Sequence, residues 1–199
     1  MRIITASNKA HEKFVKDLLK SADEVGYEVE VYDLDEIGIN KDDLTGVFKS
    51  CSFKPNLILD KLKGFTVWID DDCIFQDRID EVEGDYDIGV TMRRKEENNA
   101  DKHSNYSGWL NAGVIFINDT EASRRFIKLW IDHIPETETK TDQEALSDLV
   151  RKGVDGVRIK EFTTDEYNFF YFPEDHTKAK ILHIKTDIRE KYENIYSHT

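Results

Sequence analysis

The segment Trp68-Ile69-Asp70-Asp71-Asp72-Cys73-Ile74-Phe75 places three adjacent carboxylates between two apolar stretches. The stretch before the acids, Phe65 to Ile69, has the length and composition of a buried strand. Three neighbouring acids repel one another, and burying them without partners is costly. A divalent cation is the simplest partner, and the carboxyl end of a central strand is where open α/β sheets bind ligands. This segment therefore predicts a metal-dependent site for a phosphorylated ligand.

The beginning of the chain has the pattern of an α/β sheet. Residues 2–6 predict a strand, and an apolar stripe through residues 9–25 predicts an amphipathic helix, capped by Ser7 or Asn8 and ended by Gly26. Residues 27–32 alternate apolar and polar side chains, which predicts a second strand. A strand–helix–strand opening is typical of α/β proteins.

The remaining elements continue this alternation of strands and helices. We predict strands at Phe65–Ile69, Tyr86–Met92, Leu110–Ile117, Val157–Ile159 and Ile181–Ile184, and helices at Lys54–Lys63, Glu121–Ile134 and Gln143–Arg151. Pro55 is expected in the first turn of its helix, where a missing N–H is tolerated. Residues 93–108 are expected to form a long polar loop. No linker divides these parts, so we expect one domain over residues 1–199.

Composition excludes several classes of protein. The net charge of −13, from 28 basic and 41 acidic residues, argues against a nucleic-acid or anionic-membrane binder. The two cysteines, Cys51 and Cys73, lack metal-type spacing, which fits a reducing compartment. We find no apolar run near the roughly 20 residues that span a bilayer, and the first apolar run is too short for a signal peptide. We therefore expect a soluble, cytoplasmic protein without a membrane span.

The acidic triplet by itself admits several interpretations. It could be a solvated strand-to-turn junction. A calcium loop would need a glycine where Phe75 stands, and a phosphatase-type nucleophile would be followed by a small turn residue and threonine. In a metal–diphosphate clamp, alternation along the extended chain points Asp70 and Asp72 to the same side. Two carboxylates would then face one cation, which neutralises diphosphate oxygens.

Several motifs, taken in chain order, resemble the GT-A class of glycosyltransferases, particularly the retaining enzymes that use nucleotide-diphosphate sugars. They are Thr5-Ala6-Ser7-Asn8, Lys54-Pro55, Asp70 with Asp72, Asn111-Ala112-Gly113-Val114, Thr141-Asp142-Gln143 and Ile181-Leu182-His183-Ile184-Lys185. The resemblance implies a Rossmann-like GT-A fold with a mixed central sheet flanked by helices. It also implies nucleotide-sugar binding by about residues 1–115 and an acceptor and catalytic part over about residues 116–199.

The resemblance implies a metal site and a donor site. Asp70 would contact the metal and the ribose, Asp72 would be a direct metal ligand, and His183 would be the third ligand. Imidazole with carboxylates suits Mn²⁺, whereas carboxylates alone suit Mg²⁺. The other donor-binding candidates are Ala6, Ser7 and Asn8 at the base and ribose, the backbone of Asp71 at the ribose, and Lys54 and Lys185 at the phosphates.

The catalytic candidates are Asn111, Asp142 and Gln143. The small residues after Asn111 would let a sugar approach the backbone. In the resembling family the acid binds sugar hydroxyls and the amide lies near the anomeric carbon. The implied reaction transfers a hexose from UDP-glucose or UDP-galactose to a hydroxyl of an unknown glycan, lipid or protein acceptor, with retention of configuration. For each candidate a structural role remains open, as a helix cap or as tight strand packing.

Two other functions remain open at this point. A nucleotidyltransferase would normally carry a glycine-rich basic loop after the first strand, which Thr5-Ala6-Ser7-Asn8 is not. A non-catalytic nucleotide-sugar-binding module would not need the metal acids, the histidine and the Asp-Gln pair together. The aromatic stretch over residues 167–172 could stack on a sugar or complete the core.

Overall fold

The computed structural model describes residues 1–36, 47–95, 109–172 and 174–184, with side chains described from residue 53 onward in the second of these ranges. The strands are β1 (Arg2–Ser7), β2 (Val29–Asp33), β3 (Phe65–Ile69), β4 (Cys73–Phe75), β5 (Ile88–Met92), β6 (Leu110–Asn118), β7 (Ile159–Thr163) and β8 (Ile181–His183). The α-helices are α1 (Glu12–Glu24), α2 (Val47–Lys61), α3 (Glu121–His133), α4 (Asp142–Lys152) and α5 (Thr164–Tyr167).

The main sheet is mixed, with the strand order β2-β1-β3-β6-β5-β7 in the described part of the chain. β1 pairs in parallel with β2 and β3, and β5 pairs in parallel with β7. β6 runs antiparallel to both β3 and β5. A separate antiparallel pair joins β4 to β8 and sets Cys73 opposite His183. This architecture confirms the predicted α/β class with a mixed sheet.

Helices cover both faces of the main sheet. Trp68 on β3 and Ile4 on β1 pack towards α2, α3 and α4, whereas Val67 and Ile3 pack towards α1. This division follows from the strand period of two, which sends successive side chains to opposite faces. Each fully buried aliphatic or aromatic side chain contributes about 1.5–3 kcal/mol relative to exposure. The two cores therefore fix the strand ends on which the polar residues stand.

Most element predictions are confirmed, and two are wrong. Strand β3 has the predicted bounds. Because α2 begins at residue 47, Pro55 lies inside the helix and not in its first turn, and a proline there gives up one helical hydrogen bond. The apolar residues after it, including Leu57 and Ile58, are buried and hold the helix on the sheet. The late strand predicted at Val157–Ile159 instead runs from Ile159 to Thr163.

No helix within the described ranges is long and apolar enough to cross a membrane. Of the predicted loop over residues 93–108, residues 93–95 lie in the described part of the chain.

Candidate active site

The acids after β3 lie at the edge of the sheet where β1 and β3 end. The backbone N–H of Cys73 donates to the carbonyl of Asp70 at 3.1 Å, which closes a tight turn. The N–H of Asp70 donates to the carbonyl of Gly113 at 2.8 Å, so β6 supports the same turn. The three carboxylates leave this turn in different directions and meet different partners.

Asp72 and His183 face each other across the second sheet. Oδ1 of Asp72 lies 3.1 Å from Nε2 of His183, and His183 is 4% exposed. The N–H of Ile184 donates to the carbonyl of Asp72 at 3.0 Å, which fixes the two backbones together. The thiol of Cys73 lies within the same cluster. Burial, then the charges of the neighbouring carboxylates, raise the pKa of this thiol well above its usual range.

Asp70 makes a different set of contacts. Its Oδ1 accepts a hydrogen bond from Nε1 of Trp68 at 2.8 Å and lies 3.0 Å from Nζ of Lys54. The same ammonium lies 3.2 Å from Oδ2 of Asp142 and donates to the carbonyl of Ala112 at 3.0 Å. Burial alone would lower the pKa of Lys54, but the charges of Asp142 and Asp70 outweigh burial and raise it. Lys54 is therefore a buried cation that joins two acids of the site.

Asp71 points towards β1 and α1. Its Oδ2 accepts a hydrogen bond from the hydroxyl of Ser7 at 2.6 Å and lies 3.1 Å from Nδ1 of His11. The carboxylate of Asp71 thus ties the end of β1 to the acidic turn. A donor role for Asp71 would fall to its backbone, as the sequence predicts.

The strand β6 carries an irregularity at the site. Its pairing with β5 shifts between Val90 and Thr91, so that residues 112–114 have no partner on β5. The Oδ1 of Asn111 accepts from the N–H of Gly113 at 2.8 Å, while Nδ2 of Asn111 is buried and has no hydrogen-bond partner among the described residues. A buried donor with no partner is costly, at about 1–3 kcal/mol. The site therefore offers a donor to a bound molecule.

Gln143 lies behind this irregularity, in the first turn of α4. Its Oε1 accepts a hydrogen bond from the N–H of Ala112 at 3.2 Å. Thr141 caps the helix by accepting from the N–H of Glu144. Asp142 therefore contacts Lys54 at the site, and Gln143 contacts the backbone of Ala112. Neither side chain caps the helix.

Gly113 is needed for the histidine to occupy its position. A Cβ built on Gly113 would lie 2.4 Å from Cε1 and 2.5 Å from Nδ1 of His183. It would also lie 3.0 Å from Oδ1 of Asn111. Approaches below 3.0 Å are essentially never seen for real Cβ atoms, so His183 and Asn111 meet over a residue that has no side chain.

A cavity of about 340 Å³ opens at the ends of β1 and β2. Ser7, Asn8, Val31, Asp33 and Asp35 are among the residues that line it. Its volume is at the lower end of the range for small-molecule pockets. Asn8 precedes a short 3₁₀ turn without a side-chain capping bond, and within the described part of the chain its buried Oδ1 has no partner. Ala6, also predicted here, is buried on β1.

The structure brings together the predicted metal ligands, the predicted catalytic residues and Lys54. Asp70, Asp72, Asn111, Asp142, Gln143, His183 and Lys54 converge at one edge of the sheet through the contacts above. Lys185 lies outside the described residues. The sequence motifs do not indicate two further residues of the site, Asn168, which contacts His183, and Thr91, which contacts the carbonyl of Asn111. The one available signal was a polar residue inside an aromatic stretch, Tyr167-Asn168-Phe169-Phe170.

The fold is that of GT-A glycosyltransferases. A crystal structure of a glycosyltransferase involved in glycosylation of the major capsid of PBCV-1 matches with a TM-score of 0.64 and 15% identity, over 98% of this chain and 100% of that chain. GlyE of Streptococcus pneumoniae TIGR4 matches with a TM-score of 0.60 and 15% identity, over 100% and 61%. The galactosyltransferase LgtC, solved with donor and acceptor sugar analogs, matches with a TM-score of 0.60 and 12% identity, over 98% and 95%.

Comparison at the level of sequence identifies the family. Residues 45–191 match the family model described as nucleotide-diphospho-sugar transferase, so the chain belongs to that family. The predicted enzyme class, a glycosyltransferase, is thereby confirmed. A comparison with curated protein sequences gives no significant match.

Members of this fold class generally depend on a divalent metal, and the residues of this chain fit such an ion. Within the described residues, Asp72, Cys73 and His183 form a group whose ligand atoms all lie within 4.8 Å of one another. A carboxylate oxygen with an imidazole nitrogen is a donor set that Mn²⁺ accepts. Asp72 and His183 are therefore the residues best arranged to hold the ion, while Asp70 is paired with Lys54.

Proposed function

We propose that this chain transfers a hexose from UDP-glucose or UDP-galactose to an acceptor hydroxyl, in a metal-dependent reaction that retains the anomeric configuration. The observation that carries the proposal is the convergence of Asp72 and His183 at 3.1 Å beside Nδ2 of Asn111, a donor with no partner in the described ranges. A pair that can bind a cation and a hydrogen-bond donor then lie next to each other at the ligand-binding edge of the sheet.

The donor nucleotide would occupy the cavity at the ends of β1 and β2. The buried Oδ1 of Asn8 offers an acceptor to the base or the ribose. Asp72 and His183 would hold the divalent ion, which offsets negative charge on the departing diphosphate. The orientation of Asp70 is fixed by the hydrogen bond from Trp68 and the ion pair with Lys54.

The sugar would be held by residues of β6 and α4. Nδ2 of Asn111 would donate to a sugar hydroxyl, and the carboxylate of Asp142, fixed by Lys54 at 3.2 Å, would accept from another. Gln143, anchored on the N–H of Ala112, would lie close to the anomeric carbon. The bond from that carbon to the diphosphate breaks, and a bond to the acceptor oxygen forms on the same face. The acceptor proton passes to the leaving phosphate, so no strong protein base is needed.

The experiment is a donor panel with purified protein. Nucleotide sugars are incubated with Mn²⁺, with Mg²⁺ or with a chelator, and free nucleoside diphosphate is measured. We expect slow release of UDP from a UDP-hexose that stops when the chelator is added. Tight donor binding without release from any donor would instead identify a non-catalytic module. Pyrophosphate release from a nucleoside triphosphate and a sugar phosphate would identify a nucleotidyltransferase.

Retention is tested separately from donor use. A simple alcohol or sugar acceptor is supplied with the active donor, and the anomeric configuration of the first product is read by NMR. We expect the configuration of the donor to be kept. An inverted product would contradict the roles proposed for Asp142 and Gln143 while leaving the metal site intact.

A further inference from the structure

We propose that Asn168 is a positioning residue that fixes which nitrogen of His183 is free to bind the metal. The proposal rests on the metal-dependent function above and adds a residue that neither the sequence motifs nor the acidic cluster indicates. It follows from a chain of hydrogen bonds that joins β5, β6 and β8 behind the site.

Asn168 is completely buried and lies next to β8. Phe169 forms a parallel bridge with Leu182, and its N–H and carbonyl bond to the backbone of Ile181 and His183. This pairing places the side chain of Asn168 beside the imidazole of His183. Oδ1 of Asn168 lies 2.9 Å from Nδ1 of the histidine, and the side chain has an exposed fraction of 0%.

The other end of the amide fixes its orientation. Nδ2 of Asn168 lies 3.2 Å from the backbone carbonyl of Asn111 and 2.8 Å from Oγ1 of Thr91. A carbonyl oxygen can only accept hydrogen bonds, so the NH₂ group of Asn168 must face it. The hydroxyl of Thr91 donates to the same carbonyl at 2.9 Å and is therefore free to accept from Nδ2. Oδ1 of Asn168 is left facing His183.

The orientation of the amide then decides the tautomer of the imidazole. Because Oδ1 of Asn168 is an acceptor, Nδ1 of His183 must carry the hydrogen and donate it. In the neutral ring Nε2 then holds a lone pair, and this lone pair faces Oδ1 of Asp72 at 3.1 Å. Two acceptors in this position repel each other unless a cation stands with them. By fixing the tautomer, the hydrogen bonds of Asn168 leave Nε2 of His183 and Oδ1 of Asp72 facing each other as two ligand atoms for one cation.

Hydrogen-bond partners of metal-binding histidines have a measurable effect in other metal proteins. Partners that orient a ligating histidine are worth about 10–100-fold in metal affinity or activity. Asn168 also contacts the carbonyl of Asn111, whose side chain is proposed to bind the sugar. The buried side chain of Asn168 therefore contacts both the histidine of the metal site and the backbone of the proposed sugar site.

The tautomer is measured first, in the metal-free wild-type protein at alkaline pH. Long-range proton–nitrogen NMR on histidine-labelled protein, assigned with His183→Gln, distinguishes the two neutral forms. We expect His183 with its hydrogen on Nδ1. A hydrogen on Nε2 would overturn the proposal, and neither result depends on whether the protein transfers a sugar.

Metal affinity is measured next, on folded variants and without any donor. Asn168→Leu removes the acceptor for the histidine, and Thr137→Val, the matched control, removes a buried hydroxyl that bonds to Ile134 away from the site. By Mn²⁺ titration followed with electron paramagnetic resonance, we expect affinity to fall about 10–100-fold in Asn168→Leu. We expect Thr137→Val to stay within about threefold of wild type. Unchanged affinity in a folded Asn168→Leu protein, or an equal loss in Thr137→Val, would overturn the proposal.

Discussion

Single atoms decide whether the metal pair at this site can form. An added methyl group at Gly113 would overlap the ring of His183, at 2.4 Å from Cε1. Nδ1 of the same ring is bound by Asn168, so the ring cannot move aside without losing that hydrogen bond. Glycine is therefore required at position 113 to leave space for His183, and not because of the backbone conformation there.

Gly113→Ala is expected to lower Mn²⁺ affinity and UDP release about 10–100-fold, because it displaces the histidine. Gly84→Ala is the matched control, since its added methyl group would meet Tyr86 at an ordinary contact distance of 3.5 Å. Both variants are checked for folding by circular dichroism. Normal metal binding by a folded Gly113→Ala protein would show that His183 does not need this position.

Asp72→Ala is expected to lower metal-dependent UDP release by more than about 100-fold, since even the partners behind metal ligands are worth 10–100-fold. Asp60→Ala, which removes an exposed carboxylate from α2, should leave release unchanged. Release is measured at saturating Mn²⁺ with thermal unfolding as a check on the fold. UDP release at the wild-type rate by Asp72→Ala would show that Asp72 is not a metal ligand.

Sequence patterns reveal the charged residues of this site better than its neutral ones. The acids stand out because carboxylates that directly follow a buried strand need partners, and His183 stands out as a histidine on a short apolar strand. Lys54 was predicted to contact phosphate, whereas in the structure its ammonium is shared among Asp70, Asp142 and the carbonyl of Ala112. Asn168 could not be predicted, since its partners lie on three separate strands and an amide in an aromatic stretch has no periodic signal.

At the scale of elements, one buried carboxylate joins two strands and a helix. Asp87, just before β5, accepts from the N–H of Arg158 at 2.8 Å and from the hydroxyl of Thr120 at 2.8 Å. Thr120 in turn caps α3. Burial alone would raise the pKa of Asp87, but the hydrogen bonds from Arg158 and Thr120 outweigh burial and lower it. Asp87 therefore stabilises the fold in its charged form.

Asp87→Asn is expected to lower the free energy of unfolding by about 1.5–3 kcal/mol at neutral pH, the typical value for hydrogen bonds to a charged group. Because the folded pKa is lowered, the stabilisation is complete above the unfolded pKa of about 3.9 and is lost as the pH falls through the folded pKa. In urea unfolding, the difference between wild type and variant should therefore shrink in acid.

The exposed neighbour Asp85 provides the control for this prediction. It also pairs with Arg158, but its side chain is 91% exposed. Asp85→Asn should therefore cost less than about 1 kcal/mol at any pH. A loss in Asp87→Asn that stayed constant from neutral pH to about pH 3 would show that the charge of Asp87 is not what stabilises the junction.

Elements with a clear period were predictable, and long-range pairing was not. β3 is apolar throughout and has the predicted bounds because both of its faces are buried. β7 lies at the edge of the sheet and has no fully buried residue, so its sequence pattern is weak and its predicted position was wrong. The pairing of β4 with β8 joins residues more than a hundred positions apart, and no local pattern encodes such a contact.

At the scale of the whole molecule, charge opposes the proposed donor. The chain carries a net charge of −13, and the acids of the site add to the repulsion of a diphosphate. A bound divalent ion would make the local charge at the site positive. We therefore expect donor binding and metal binding to be strongly coupled, with neither ligand stabilising the protein much alone.

Thermal unfolding measures this coupling. UDP with Mn²⁺ at about 100 times the dissociation constant should add about 2.7 kcal/mol of stability, which is roughly 5–10 °C in Tm for a chain of this size. UDP alone should give a small shift. Asp72→Ala should lose the extra shift from the metal. Equal shifts with UDP alone and with UDP plus Mn²⁺ would contradict the coupling.

His183 as a metal ligand is the central claim, since this residue links the acidic turn to the far end of the described chain. The direct measurement is pulsed electron paramagnetic resonance of Mn²⁺ bound with UDP to protein that carries ¹⁵N-labelled histidine. We predict a coupling to histidine nitrogen in the wild type that disappears in His183→Ala. Bound Mn²⁺ without any histidine coupling in the wild type would contradict the account.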